Sequence, residues 1–132
     1  MRKVLDAFAL MAYFEKEDGH KEVEDCLIEA ARKDQPVLMT TVNYGEVYYS
    51  ILRAYGLKKV QDIDAMIKTL PIEMVPADEL LARESAAIKA FHKMSYADCF
   101  AAALAQKHKA EILTGDKEFK SVERDIKIHW IV

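Results

Sequence analysis

The feature that most constrains this chain is the alternation of very short apolar runs with longer segments of helical period. Lys3-Val4-Leu5-Asp6, Val37-Leu38-Met39-Thr40 and Ile112-Leu113-Thr114 read as short strands. Pro71-Ile72-Glu73-Met74-Val75-Pro76 reads as a further strand closed by prolines, which suits the edge of a sheet. Ile126 to Ile131 alternates and reads as a last one.

Between these runs the period is helical. Ala7 to Phe14 places Leu10, Tyr13 and Phe14 on one face, and Asp18-Gly19 breaks it. From about His20 to Lys33, the residues Val23, Cys26, Leu27, Ala30 and Ala31 form one apolar stripe. From Val42 to Tyr55, Tyr44, Val47, Tyr48, Ile51, Leu52 and Tyr55 share a face opposite Asn43, Glu46, Ser50 and Arg53. Gly56 ends that helix, and another from about Leu57 to Leu70 turns Val60, Ile63, Ile67 and Leu70 inward. The short connection predicts an antiparallel helical hairpin. A helix over Ala77 to Lys93 is expected to bury Leu80, Leu81, Ala87, Ile88 and Phe91. An alanine-rich helix opens at Ser95-Tyr96-Ala97-Asp98 and ends near His108, and Glu118 to Glu123 reads as a helical turn. Strands alternating with helices predict a three-layer α/β/α sandwich around a mostly parallel, about five-stranded sheet, formed by residues 1–132 as one domain.

Composition narrows the function classes. A chain of 132 residues with 52% hydrophobic and 31% charged residues suits a globular protein. No apolar run approaches the roughly 20 residues of a membrane span, and Asp6 interrupts the N-terminus too early for a signal peptide. The expected location is cytoplasmic. Cys26 and Cys99 have neither disulfide-framework nor zinc-site spacing. A net charge of -3 argues against holding nucleic acid by bulk charge, though not against a nuclease whose acids bind divalent cations.

Asp6, Glu46, Asp98 and Asp116 all stand where a strand ends or the next helix begins. Singly, each reads more readily as a local device. Asp6 suits an N-cap, Ser95-x-x-Asp98 a capping box, Asn43-x-x-Glu46 a looser one, and Asp116 a turn after Gly115. Jointly they point further, because strand ends and helix starts share one rim of an open parallel sheet. Carboxylates gathered there repel unless protonated or bridged by a cation, and hard oxygen ligands suit Mg²⁺ or Mn²⁺. Small residues at Ala101 and Ala102 would let the alanine-rich helix approach such a site closely.

The ordered set V-L-D-A, N-Y-G-E, Y-A-D-C-F-A-A-A-L-A and I-L-T-G-D-K-E-F resembles the PIN-domain ribonuclease family, and the chain is similar in size to toxins of the VapC type. The resemblance implies a sandwich around a parallel sheet and a Mg²⁺- or Mn²⁺-dependent endoribonuclease that hydrolyses RNA with metal-activated water. In its terms Asp6, Asp98 and Asp116 are the direct metal ligands. Glu46 positions a second ion or the attacking water, and Thr114 and Asn43 support the site by hydrogen bonding. It also implies a homodimer and a cognate antitoxin, with the hairpin between Tyr44 and Leu70 as the candidate surface. Arg53, Lys117 and Lys120, with Lys58 and Lys59, are candidate RNA-phosphate contacts, although each also reads as a solvated helix end. One position departs from the family pattern: Phe8 stands where a small hydroxyl residue is common. That departure motivates an alternative, a PIN-fold RNA- or protein-binding module with weak or no nuclease activity. A phosphorylated receiver domain also fits the length, but it needs paired acids after the first strand, where Ala7 and Phe8 follow Asp6.

Overall fold

The computed structural model describes residues 1–132. In chain order the elements are β1 (Lys3–Leu5), α1 (Ala7–Glu15), α2 (His20–Arg32), β2 (Val37–Thr40), α3 (Thr41–Tyr55), α4 (Leu57–Ile67), β3 (Ile72–Val75), α5 (Glu79–Phe91), α6 (Tyr96–His108), β4 (Glu111–Thr114), a 3-10 segment (Lys117–Val122) and β5 (Ile128–Trp130). The sheet has five strands in the order β3-β2-β1-β4-β5, and every neighbouring pair is parallel. The proline-flanked β3 lies at an edge, where a missing backbone donor does least harm.

The strands are short and apolar because both sheet faces are covered. Successive side chains point to opposite faces, so β1 sends Val4 into one core and Leu5 into the other. In β4, Ile112 and Leu113 divide the same way. The first core is closed by α5, α6 and the 3-10 segment, with Phe119 as its largest fully buried side chain. The second is closed by α1 to α4, through Leu10, Val23, Leu27, Val47, Ile51, Val60 and Ile63. Full burial of one such aliphatic side chain stabilises the fold by about 1.5–3 kcal/mol. Cys99 is buried, Cys26 is half-buried, and both are free thiols. No helix is long and apolar enough to cross a membrane.

Helix α6 is the central helix of its layer. Ala101 to Ala105 are all fully buried, including residues that a one-sided helix would turn to water. Alanine fits because α6 is enclosed by the sheet, α3, α5 and the 3-10 segment.

The expected inward face of α5 needs correction. Leu80, Ala87 and Phe91 are exposed, and the buried stripe is Leu81, Ser85 and Ile88. Ser85 satisfies its hydroxyl within the helix by donating to the Leu81 carbonyl at 2.7 Å, so a polar residue sits inside the stripe. In α3, Leu52 and Tyr55 also turn outward, whereas Val47 and Ile51 are buried. Helix α4 buries Val60, Ile63 and Ile67 and packs antiparallel-hairpin fashion on α3 through a hydrogen bond from the Tyr44 hydroxyl to Asp64 at 2.5 Å.

Because all strands are parallel, their C-terminal ends share one rim. The strand order reverses at β1: β2 and β3 extend to one side, β4 and β5 to the other. In open α/β sheets the crevice at such a switch point is where ligands bind. Asp6 follows β1 and Asp116 lies just beyond β4, so this chain puts a carboxylate on each side of that crevice.

Candidate active site

Asp6 and Asp116 are held by the local structures that the sequence predicts for them, a helix cap and a turn. Asp6 is the N-cap of α1 and accepts from the Ala9 N–H at 2.9 Å through Oδ1. Its other oxygen accepts a hydrogen bond from the Thr114 hydroxyl. The same Thr114 Oγ1 accepts from the Asp116 N–H at 2.9 Å, so one buried hydroxyl ties Asp6 to the turn that carries Asp116. Asp116 in turn caps the 3-10 segment, accepting from the Glu118 N–H at 2.9 Å.

Gly115 shapes this turn by its lack of a side chain. Its backbone does not have positive φ; a Cβ there would fall 2.3 Å from Cε1 of Phe8 and 2.7 Å from Cγ2 of Val132. Phe8, at the position of the departure, therefore packs its ring directly against the backbone next to Asp116.

Helix α3 brings Glu46, but by a different cap from the expected one. Thr40 is the N-cap: its Oγ1 accepts from the Asn43 N–H at 3.1 Å and donates to Asn43 Oδ1 at 2.6 Å. Asn43 is fully buried and its Nδ2 donates to the Ala97 carbonyl at 3.1 Å and to Glu46 Oε1 at 3.4 Å. One amide thus joins the start of α3 to the start of α6. Ser95 caps α6 by accepting from the Asp98 N–H at 3.1 Å.

Asp6, Glu46, Asp98 and Asp116 come together on this rim. Oxygens of Asp98, Asp116 and Glu118 lie within 4.8 Å of one another. Glu118 is the acid that the sequence reading passed over; its signal was its place two residues after Asp116, in the same turn. None of the ion pairs in the structure involves any of these five acids.

The electrostatics follow first from burial and then from the nearness of like charges with no cation between them. Burial pushes the Asp6 carboxyl up to about 7; hydrogen bonds from Thr114 and Ala9 oppose the shift, and the charges of Asp116 and Glu46 add to it. Asp98 lies well above the ordinary carboxylate range, first through burial and then through its position beside Asp116, with Asp6 and Glu118 adding to the shift. Glu46 is raised by burial, against the hydrogen bond from Asn43 and with a further push from Asp116. Asp6, Glu46 and Asp98 are therefore each held in a place that penalises the charged form.

The cationic candidates are more dispersed. Lys117 and Lys120 are exposed on the 3-10 segment directly after Asp116. Arg53 lies on α3 two turns beyond Glu46, about 10 Å along the helix axis, with its guanidinium 5.3 Å from the centre of the Tyr49 ring. Lys58 is paired with Asp62 at 2.9 Å, and Lys59 is exposed.

A parallel α/β/α sandwich with uncompensated carboxylates at its topological switch point defines the class: an open α/β protein whose polar chemistry is concentrated on the strand-end rim. Residues 3–125 match the PIN domain family model, and the chain belongs to that family. A search of curated proteins finds no match. Among solved structures, the fold is similar to that of a toxin–antitoxin complex from Klebsiella pneumoniae, at 16% identity and a TM-score of 0.71 over 100% of this chain and 98% of that one. It is also similar to DNA-bound VapBC from Salmonella typhimurium, at 14% identity and a TM-score of 0.74 over 100% and 99% of the two chains. VapC20 from Mycobacterium tuberculosis, a sarcin–ricin loop cleaving toxin, aligns at 14% identity and a TM-score of 0.71 over 91% and 94%. At these identities the likeness concerns the fold.

Proposed function

We propose that this chain is a divalent-metal-dependent endoribonuclease, the toxin of a toxin–antitoxin pair. The observation that carries the reading is the convergence of Asp6, Glu46, Asp98 and Asp116 on one rim with no cationic side chain paired to them. Carboxylates that repel one another and lack a protein counter-ion fit a hard divalent cation such as Mg²⁺ or Mn²⁺. Asp98 and Asp116 are the central ligand candidates, with Asp6 and Glu46 beside them. When bound, such an ion supplies Lewis-acid polarisation of a phosphate oxygen and activation of a water nucleophile.

The chain's own residues do the positioning. Thr114 fixes the Asp6 carboxylate and the Asp116 backbone through one hydroxyl. Asn43 holds Glu46 and the α6 start together. Glu46, half-buried and raised in pKa, is placed to orient water or accept its proton. Lys117 and Lys120 stand at the rim where phosphates of a bound RNA strand would pass. The VapBC and sarcin–ricin-loop-cleaving neighbours support an RNA substrate and an antitoxin partner. For the antitoxin or a second copy, the α3–α4 hairpin exposes Leu52, Tyr55, Leu57 and Met66.

The test is cleavage of a structured RNA with Mn²⁺, with EDTA, and with Asp6→Asn. We expect EDTA to abolish cleavage and Asp6→Asn to lower it more than about 100-fold, since even partners of metal ligands are worth 10–100-fold. Cleavage that survives both would remove the mechanism. The alternative, a binding module with weak or no activity, draws on Phe8, whose ring occupies the flank of the Asp116 turn. It predicts no measurable Mn²⁺ binding by calorimetry despite intact acids.

A further inference from the structure

Helix α6 begins with the sequence of a capping box, Ser95-x-x-Asp98, but only half of the box forms. Ser95 Oγ accepts from the Asp98 N–H at 3.1 Å. The complementary bond would run from the Ser95 N–H to the Asp98 carboxylate. Instead, the Ser95 N–H donates to Glu118 Oε1 at 2.8 Å. Glu118 arrives from beyond β4, on the 3-10 segment that packs against α6.

We propose that Glu118 is a positioning residue, which takes the capping hydrogen bond that Asp98 would otherwise make and so leaves the Asp98 carboxylate turned toward Asp116. The inference rests on the metal-site reading above for its purpose, though not for its geometry. A carboxylate that completes a capping box folds back along its own helix toward the N-cap nitrogen. The Asp98 carboxylate is buried, and one of its oxygens lies within 4.8 Å of oxygens of both Asp116 and Glu118. Two acids compete for one backbone donor, and the exposed one has it. The exchange also suits their lengths. Asp98 is fixed to the first turn of α6 and carries a short side chain into the crevice. Glu118 has one more methylene with which to span from the 3-10 segment to the helix start. The 3-10 segment is itself anchored by Asp116, so the swap couples the order of the Asp116 turn to the direction of Asp98.

Substitutions at position 118 separate this role from that of a ligand. Glu118→Gln keeps a carbonyl oxygen that accepts from the Ser95 N–H but removes the charge. Glu118→Ala removes the acceptor and returns the donor to Asp98. Two readouts are needed: Mn²⁺ affinity by calorimetry, and the Asp98 side-chain carboxyl ¹³C resonance of the metal-free proteins. We expect Glu118→Ala to lower Mn²⁺ affinity about tenfold, the low end of the effect of an orienting partner, and to move the Asp98 resonance. Glu118→Gln stays within about threefold of the wild type and moves that resonance less than Glu118→Ala does, because both lose the charge but only Gln keeps the acceptor. Equal losses for Gln and Ala would overturn the proposal and make Glu118 a ligand through its charge. An Asp98 resonance that moves no further in Glu118→Ala than in Glu118→Gln would also overturn it. Failure of the wild type to bind Mn²⁺ would defeat the metal-site reading alone, because the resonance in the metal-free variants still reports whether Glu118 directs Asp98.

Discussion

The two ends of this sheet treat buried acids in opposite ways. Around the strand starts, Glu111 is buried and fully compensated: Lys3 bonds its Oε1, Lys127 lies 3.5 Å from its Oε2, and the His129 ring stands 3.8 Å away. His129 also reaches Glu22 at 3.0 Å. At the strand ends, Asp98 is buried to a similar degree, yet its neighbours are further acids. The same fold can therefore supply counter-charges to a buried carboxylate, and at one rim it does not. The first arrangement neutralises its carboxylate within the chain, and the second leaves room for the cation proposed above.

Substitution tests that contrast most directly. Glu111→Ala leaves Lys3 and Lys127 without their partner and is expected to destabilise the protein by about 3 kcal/mol, read from urea unfolding. Asp98→Asn removes a carboxyl that the fold must either keep protonated or leave without a counter-charge, so the metal-free protein is expected to be as stable as the wild type or more so at pH 8. If both variants lose stability alike, the two rims are not different in kind. A smaller effect concerns the packing that shapes the acid rim. Gly115→Ala places a methyl group against the Phe8 ring and is expected to cost about 1–3 kcal/mol. Most of that loss should return in the double variant with Phe8→Ala, a coupling that a double-mutant cycle measures. A further lever is pH. Asp6 and Asp98 both have folded-state values above those of an unfolded chain, so the folded protein holds more protons. Their contribution is complete below about pH 4 and is lost as pH rises through about 7 for Asp6 and higher for Asp98. The melting temperature of the metal-free protein should accordingly fall between pH 5 and pH 8, and Mn²⁺ should reverse the fall.

Much of the scaffold was legible in the sequence because both sheet faces are covered. Burial on two sides makes a parallel strand a short unbroken apolar run, and Lys3–Leu5, Val37–Thr40 and Glu111–Thr114 stand out for that reason. The rim positions of Asp6, Glu46, Asp98 and Asp116 followed from the alternation of elements. What the sequence hid depended on partners distant in the chain. Leu80 and Phe91 have the right character for a core stripe, but α6 packs against the side of α5 that carries Ser85. Gly115 reads as a turn residue, whereas its requirement comes from Phe8, more than a hundred positions earlier. Thr40 looks like the last residue of a strand and is also the cap of α3. Glu118 looks like one charge in a solvated segment, and only the folded chain shows it against the Ser95 nitrogen.

The enclosure of Ala101 to Ala105 has a consequence for how this protein can vary. A helix at a surface tolerates replacement in waves, with a permissive position every three or four residues. Along these five consecutive positions the wave is flattened, since each added methylene meets a neighbour in whatever direction it points. A library that randomises the segment and selects for folded protein would return alanine, glycine or serine at positions 101, 102, 103 and 105, and a large apolar residue at Leu104. The neighbouring α5, with one side open to water, would return its ordinary helical rhythm of free and forbidden positions.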